Sequence, residues 1–297
     1  MKERFPKKRF TKKNFHFPKP NEKLGHAFHD DGLFSKNNDT LKLSGKNAIL
    51  SYLVQYERGH GTHSIDGACL DILGDEQKAF DEKTKKIIKM AQSLGMRVKF
   101  HAVKSQSAKL FDLIEKHQGL MLSTSYPKVF DFDDVKDELK SLQSNVSSCQ
   151  LVILDHIHDP RNFGAILRTC AFFGVTYVVF PKDRQAQISA TVVQASEGGV
   201  FEVKLISAVN LSRVLTFLKD FGFWVIAAQT RAGCQDLKSV PKDRPYALVL
   251  GNEARGVGRE IMKKSDYFVK IPGNSLSLDS LNVSVSAGIF FYYLTSK

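Results

Sequence analysis

The stretch LVILDHIHDPRNFGAILRTCAFFGV, residues Leu151 to Val175, decides the fold. Leu151 to Leu154 form the apolar run of a buried strand, the acidic and imidazole-rich DHIHDP reads as a loop, and Asn162 opens a helix. α/β proteins build sites where a buried strand feeds a helix N-terminus through a polar loop. On a helical wheel of residues 161–173, Phe163, Ile166, Leu167 and Cys170 make one stripe; Arg161 and Arg168 lie on the far side, near Phe172. A guanidinium held beside an aromatic ring suits phosphate recognition, whereas a surface ion pair is the competing reading of Arg161.

Strands and helices alternate on the C-terminal side. VTYVVF (175–180), FEVKLI (201–206), FWVIAAQ (223–229), YALVLG (246–251) and YFVKIP (267–272) read as strands. Helices are expected at 189–196, 211–220, 257–264 and 281–294. Strands this rich in Val, Ile, Phe and Leu fit a parallel sheet covered on both faces, with its site at their carboxyl ends.

Before the opening stretch, a smaller α/β unit is expected over 45–127. Its helices fall at 45–60, 75–95 and 108–117, and its strands at 69–73, 97–103 and 119–124. His117-Gln118-Gly119 reads as a helix end with glycine in the left-handed position. Residues 128–150 read as a linker that carries a short acidic helix.

The 297 residues carry 43 Lys and Arg against 31 Asp and Glu, a net charge of +12, which favours a polyanionic partner. Much of the excess lies between Met1 and Lys23, where nine basic residues oppose two acids among Phe5, Phe10, Phe15 and Phe17. Residues 1–44 read as a disordered tail in which Lys7, Lys8, Arg9, Lys12 and Lys13 would neutralise RNA phosphates; a solubilising tail is the plainer reading. The four cysteines are far apart and show no CxxC pair, so no metal site is expected. No apolar run approaches membrane-spanning length and no signal-peptide core is present, so a cytoplasmic protein without membrane contact is expected.

Three strand ends carry unusual polar sequence: DHIHDPRNFGAILRT (155–169), LGNEARGVG (250–258) and IPGNSLSLDSLNVSVSAG (271–288). None is a dinucleotide fingerprint or a GxxxxGK[ST] phosphate loop. Together they resemble the signature motifs of the SpoU (TrmH-like) branch of the SPOUT superfamily, RNA ribose 2′-O-methyltransferases that use S-adenosylmethionine. Asp159 to Thr169 match the first motif, Leu250 to Glu253 through Gly256 the second, and Ile271-Pro272 with Ser280 to Val285 the third. GKNAILSYL and HQGLMLST are similar to the small RNA-binding domain that precedes the catalytic domain in bacterial ribosomal-RNA members.

The resemblance implies a C-terminal trefoil knot, a homodimer whose sites draw on both subunits, and an RNA substrate, ribosomal RNA ahead of transfer RNA. It implies Arg168 at the ribose hydroxyl, with Asn162, Glu253, Ser280 and Asn282 shaping the site. It also implies cofactor contacts around Leu250, Gly251, Ile271 and Leu281. Seven residues, Gly273 to Asp279, precede Ser-Leu-Asn where many ribosomal-RNA members have six, so the cofactor loop differs locally. A catalytically silent RNA-binding protein and a base methyltransferase are the alternatives on the same fold.

Overall fold

The computed structural model describes residues 40–59, 64–74, 80–101, 119–144, 149–230, 233–241, 243–273 and 280–295. In chain order the first elements are β1 (Thr40–Ser44), α1 (Lys46–Glu57), β2 (Cys69–Leu73), α2 (Glu82–Ser93), β3 (Arg97–His101) and β4 (Leu120–Ser125). They continue with β5 (Val129–Asp131), α3 (Lys136–Ser141), β6 (Cys149–Asp155), α4 (Pro160–Phe173), β7 (Tyr177–Pro181), α5 (Ala190–Ser196) and β8 (Lys204–Ala208). The remainder are α6 (Leu211–Asp220), β9 (Trp224–Ala228), β10 (Gln235–Asp236), β11 (Tyr246–Gly251), α7 (Arg259–Met262), β12 (Tyr267–Lys270) and α8 (Val283–Thr295).

The large sheet has the order β10-β12-β9-β11-β6-β7-β8-β5, and its strand pairs are parallel. From β6 the chain runs outward to β8 and then crosses back to β9 on the other side of the β6–β11 pair. That reversal opens a crevice at the carboxyl ends of β6 and β11. The register pairs Gly251 with Asp155, so the first and second polar stretches leave the sheet side by side. The small sheet, β1-β4-β2-β3, is mixed: β2 and β3 are parallel, and β4 is antiparallel to both β1 and β2.

Helix α4 buries the stripe expected from its sequence, with Phe163, Ile166, Leu167 and Cys170 all fully buried. Each of the three larger side chains stabilises the fold by about 1.5–3 kcal/mol. The helix opens at Pro160 rather than at Asn162, because the Asp159 carboxylate accepts the Arg161 N–H (2.8 Å) and proline fixes the first helical φ. Gly174, in the left-handed conformation at φ 71, ends it.

One apolar core fills the space beneath α4, α5 and α8 and runs without a break into the small sheet. A second lies on the opposite face of the large sheet, beneath α3, α6 and α7. The join between the two sheets is tight. A Cβ on Gly198 would lie 2.8 Å from Ala48 Cα, and one on Gly199 would lie 2.7 Å from Arg168 Cα. Ser51 Oγ donates to Glu202 Oε1 (2.7 Å), and the Tyr52 ring meets Phe201 edge-on at 5.1 Å.

Several expectations change. Residues 128–144 of the expected linker are structured: β5 pairs with β8 at the sheet edge, the expected short acidic helix is α3, and Phe132, Val135, Leu139 and Leu142 are buried. Strand β1 begins at Thr40, inside the stretch assigned to the tail, because Leu41 and Leu43 alternate into the core. The second helix begins at Glu82, where Asp81 caps it by accepting the Thr84 N–H; the expected start at 75 lies outside the described residues. The strand expected at 201–206 starts only at Lys204 and runs to Ala208, because Gly198 turns the chain at φ 97 and Phe201 closes a 3-10 turn, Gly199–Phe201. The helix at 108–117 and the tail lysines and arginine lie outside the described residues; Gly119 does take the expected left-handed conformation at φ 77.

Candidate active site

The crevice is lined by loops that its own backbone braces. Asp155, buried at the end of β6, accepts the Gly258 N–H at Oδ2 (2.6 Å) and pairs through Oδ1 with His156 Nδ1 (2.6 Å). Asn252 folds the second loop back on itself. Its backbone N–H donates to Gly256 O (3.1 Å) and its carbonyl accepts the Gly256 N–H (2.8 Å). Its Oδ1 accepts the N–H groups of Ala254 and Arg255, and its Nδ2 donates to the His156 carbonyl (2.9 Å). This closure leaves no room for a side chain at Gly251, where a Cβ would lie 2.3 Å from the Gly256 carbonyl carbon.

Three expected site residues meet. Asn162 Nδ2 donates to Glu253 Oε1 (2.9 Å), and Asn282 Nδ2 donates to Asn162 Oδ1 (3.0 Å). Asn282 Oδ1 in turn accepts the Ser284 N–H (2.8 Å) and so caps α8. One chain of hydrogen bonds therefore ties the first, second and third polar stretches together, and it fixes which way the Asn162 amide points. Ser280 and Leu281 are exposed just ahead of Asn282.

Arg168 stands apart from this network. Its Nη1 donates to Glu197 Oε1 (2.6 Å), in a groove also lined by Phe172, Phe173 and Glu202. Arg161 is exposed and, among the described residues, has no ion pair.

Leu250, Gly251 and Ile271 lie at the ends of β11 and β12, which flank β9. Gln229, just past β9, was not singled out from the sequence. Its N–H donates to Val269 O (2.9 Å), while its side-chain Nε2 is buried without a hydrogen-bond partner among the described residues. The available signal was a polar residue that ends the apolar run FWVIAAQ. Residues 274–279 of the third loop lie outside the described residues. Among the described residues no cluster of His, Cys, Asp and Glu could hold a metal ion, and no helix is long and apolar enough to cross a membrane.

Comparison with known proteins gives this arrangement a context. A family described as "SpoU rRNA Methylase family" matches residues 150–292. A Borreliella burgdorferi protein named an uncharacterized tRNA/rRNA methyltransferase is 31% identical over 220 residues, which cover 71% of this chain and 92% of that protein. An Archaeoglobus fulgidus protein of the same description is 42% identical over 147 residues, covering 50% of this chain and 64% of its own length. The AdoMet-bound rRNA methyltransferase from Sinorhizobium meliloti has the same fold at a TM-score of 0.63 and 20% identity, over 86% of this chain and 87% of that one. AviRb from Streptomyces viridochromogenes matches at 0.63 with 16% identity, over 86% and 90% of the two chains. The likeness of the Borreliella burgdorferi protein extends upstream of the matched family region, and that region holds the three polar loops that meet in the crevice: this chain belongs to the SpoU (TrmH-like) methyltransferase family.

Proposed function

We propose that this chain is a cytoplasmic enzyme that methylates a ribose 2′-hydroxyl in structured RNA, ribosomal RNA ahead of transfer RNA, with S-adenosylmethionine as donor. The observation that carries the reading is the hydrogen-bonded join of Asn162, Glu253 and Asn282 from three separate loops. Such a join holds a reacting group in one orientation.

The residues fit the cofactor. Gln229 presents a buried amide nitrogen without a partner among the described residues, at the end of the strand between β11 and β12. Leu250, Gly251, Ile271 and Leu281 would hold the cofactor there, with apolar surface and backbone groups. When bound, it supplies a methyl group already activated on a sulfonium. The protein's own task is to align the hydroxyl and ease its proton away.

An arginine stays protonated in proteins, so Arg168 is assigned to the adjacent phosphate and to the developing alkoxide, not to proton removal. Its separation from the Asn162 network supports a homodimer in which a second copy completes each site. A stripe of exposed apolar side chains on and just before α8 (Leu281, Val285, Ile289 and Tyr292), together with Phe172 at 81% exposure, supports the same assembly. A trefoil knot of the C-terminal segment and an RNA-gripping role for Arg161 and the basic tail belong to this reading as well.

Arg168→Ala is expected to abolish transfer of labelled methyl groups to RNA while calorimetric S-adenosylmethionine binding persists. Substantial residual turnover removes the assignment, and absence of cofactor binding in the unsubstituted protein favours the silent RNA-binding reading. Mapping 2′-O-methyl marks in RNA from a deletion strain would then name the target nucleotide.

A further inference from the structure

A groove of about 640 Å³ lies over the carboxyl ends of β6, β7, β8 and β11, on the far side of the Asn252 loop from β12. Its lining includes Arg184, Arg255 and Arg259, all exposed, and among the described residues none of the three guanidinium groups has an ion pair or a hydrogen bond. The acids that share the groove are Asp155, Asp183 and Glu260. Asp155 is engaged by Gly258 and His156, and Glu260 by Lys263 (2.7 Å), which leaves Asp183 as the one acid without a described partner.

Further features lie in or beside the groove. The N-terminus of α6 opens into it through Asn210, Leu211 and Ser212, so the positive end of a ten-residue helix faces the space. Val209, 83% exposed, offers an apolar face beside those donors. His156 (φ 62) and Arg184 (φ 54), both lining residues, hold the left-handed backbone that side chains other than glycine rarely adopt. Gln185, next to Arg184 and behind the lining, is buried with neither side-chain polar atom bonded among the described residues. Unfavourable backbone and unmet polar groups persist where the surrounding structure holds them for a task.

We infer that this groove binds a single-stranded, phosphate-bearing stretch of the RNA substrate next to the nucleotide being methylated. Arg184, Arg255 and Arg259 bind its phosphates, and Val209 packs against a base. The inference rests on the functional reading above and extends it from the reacting ribose to its neighbours. Asn252 lines the groove and donates to the His156 carbonyl, and the next residue, Glu253, accepts from Asn162, so the groove and the reaction crevice share a wall. Phosphates steer and register a strand without reading its sequence, which suits a site flanking the chemistry.

The test uses the full chain and a labelled oligouridylate of roughly 16 nucleotides, long enough for a single-strand site. Affinity is measured against salt for the unsubstituted protein, for each of Arg184→Ala, Arg255→Ala and Arg259→Ala, and for the triple variant. Each lost phosphate contact should lower the slope of log affinity against log salt by about 0.7, so the triple variant should lose about two units of slope. Its affinity at low salt should fall roughly 10- to 100-fold, with melting temperature and calorimetric S-adenosylmethionine affinity unchanged. A triple variant with an unaltered slope overturns the inference, and so does one whose weakened RNA binding is accompanied by loss of cofactor binding. Methyl transfer by the unsubstituted protein is scored separately: its absence counts against the proposed reaction, whereas the salt slopes report on the groove alone.

Discussion

Asn162 accepts from one neighbour and donates to another, so its contribution can be measured as a coupling. Asn162→Ala removes the 3.0 Å bond from Asn282 and the 2.9 Å bond to the Glu253 carboxylate. A neutral hydrogen bond contributes about 0.5–1.5 kcal/mol net and one to a charged group about 1.5–3 kcal/mol, so the loss should total about 2–4.5 kcal/mol. If that free energy appears in the transition state, kcat/KM falls roughly 30- to 2000-fold. Asn282→Ala removes the shared bond and also the cap of α8, so it is expected to lower the melting temperature as well as the rate. In the double variant the shared bond is lost only once. The cycle should therefore show a coupling of about 0.5–1.5 kcal/mol between positions 162 and 282. The assay is labelled methyl transfer to RNA at saturating cofactor, with thermal melts on all four proteins. Additivity within about 0.3 kcal/mol would refute the claim that the two amides act as one unit.

Two further predictions concern the scaffold. Gly251→Ala would place a methyl group 2.3 Å from the Gly256 carbonyl carbon and the Val257 nitrogen, both backbone atoms; a loss of at least about 1–3 kcal/mol is expected, seen as a lower melting temperature together with weaker S-adenosylmethionine binding, and unchanged values of both would contradict the close approach. Lys46 (2.6 Å) and the Thr84 hydroxyl (2.7 Å) hold the Asp81 carboxyl well below the usual carboxylate range, so its stabilising effect is present above about pH 4 and lost as pH falls through the native value; Asp81→Asn should flatten the acid limb of a stability-versus-pH curve below pH 4, and an unaltered limb would remove Asp81 from the account.

Sequence alone carried the centre of the fold further than its margins. Phe163, Ile166, Leu167 and Cys170 declared the buried face of α4 by period alone, and the apolar runs that became β6, β7 and β11 were unmistakable because parallel strands are covered on both sides. β5 escaped notice because three residues carry little pattern and its partner, β8, lies more than seventy positions away. Glu197 escaped as the partner of Arg168 because the pairing depends on how α5 ends, with Glu197 itself in the left-handed conformation at φ 46. In the crevice, Asn162, Glu253 and Asn282 were legible through motif spacing. Gln229 was not, since a single glutamine after an apolar run becomes informative only when its amide is seen buried and unbonded.

The Gly198–Gly199 pair has a mechanical consequence. With α1 packed on Gly198 and α4 on Gly199, main chain comes close to main chain at this turn, and neither glycine has room for a side chain. Close backbone approach of this kind works as a solder joint, not a bearing. The spacing between the small sheet and the crevice is thereby set by the fold, and adjustment of the crevice falls to the loops around it. Putting even a methyl group into the joint would pry the two sheets apart.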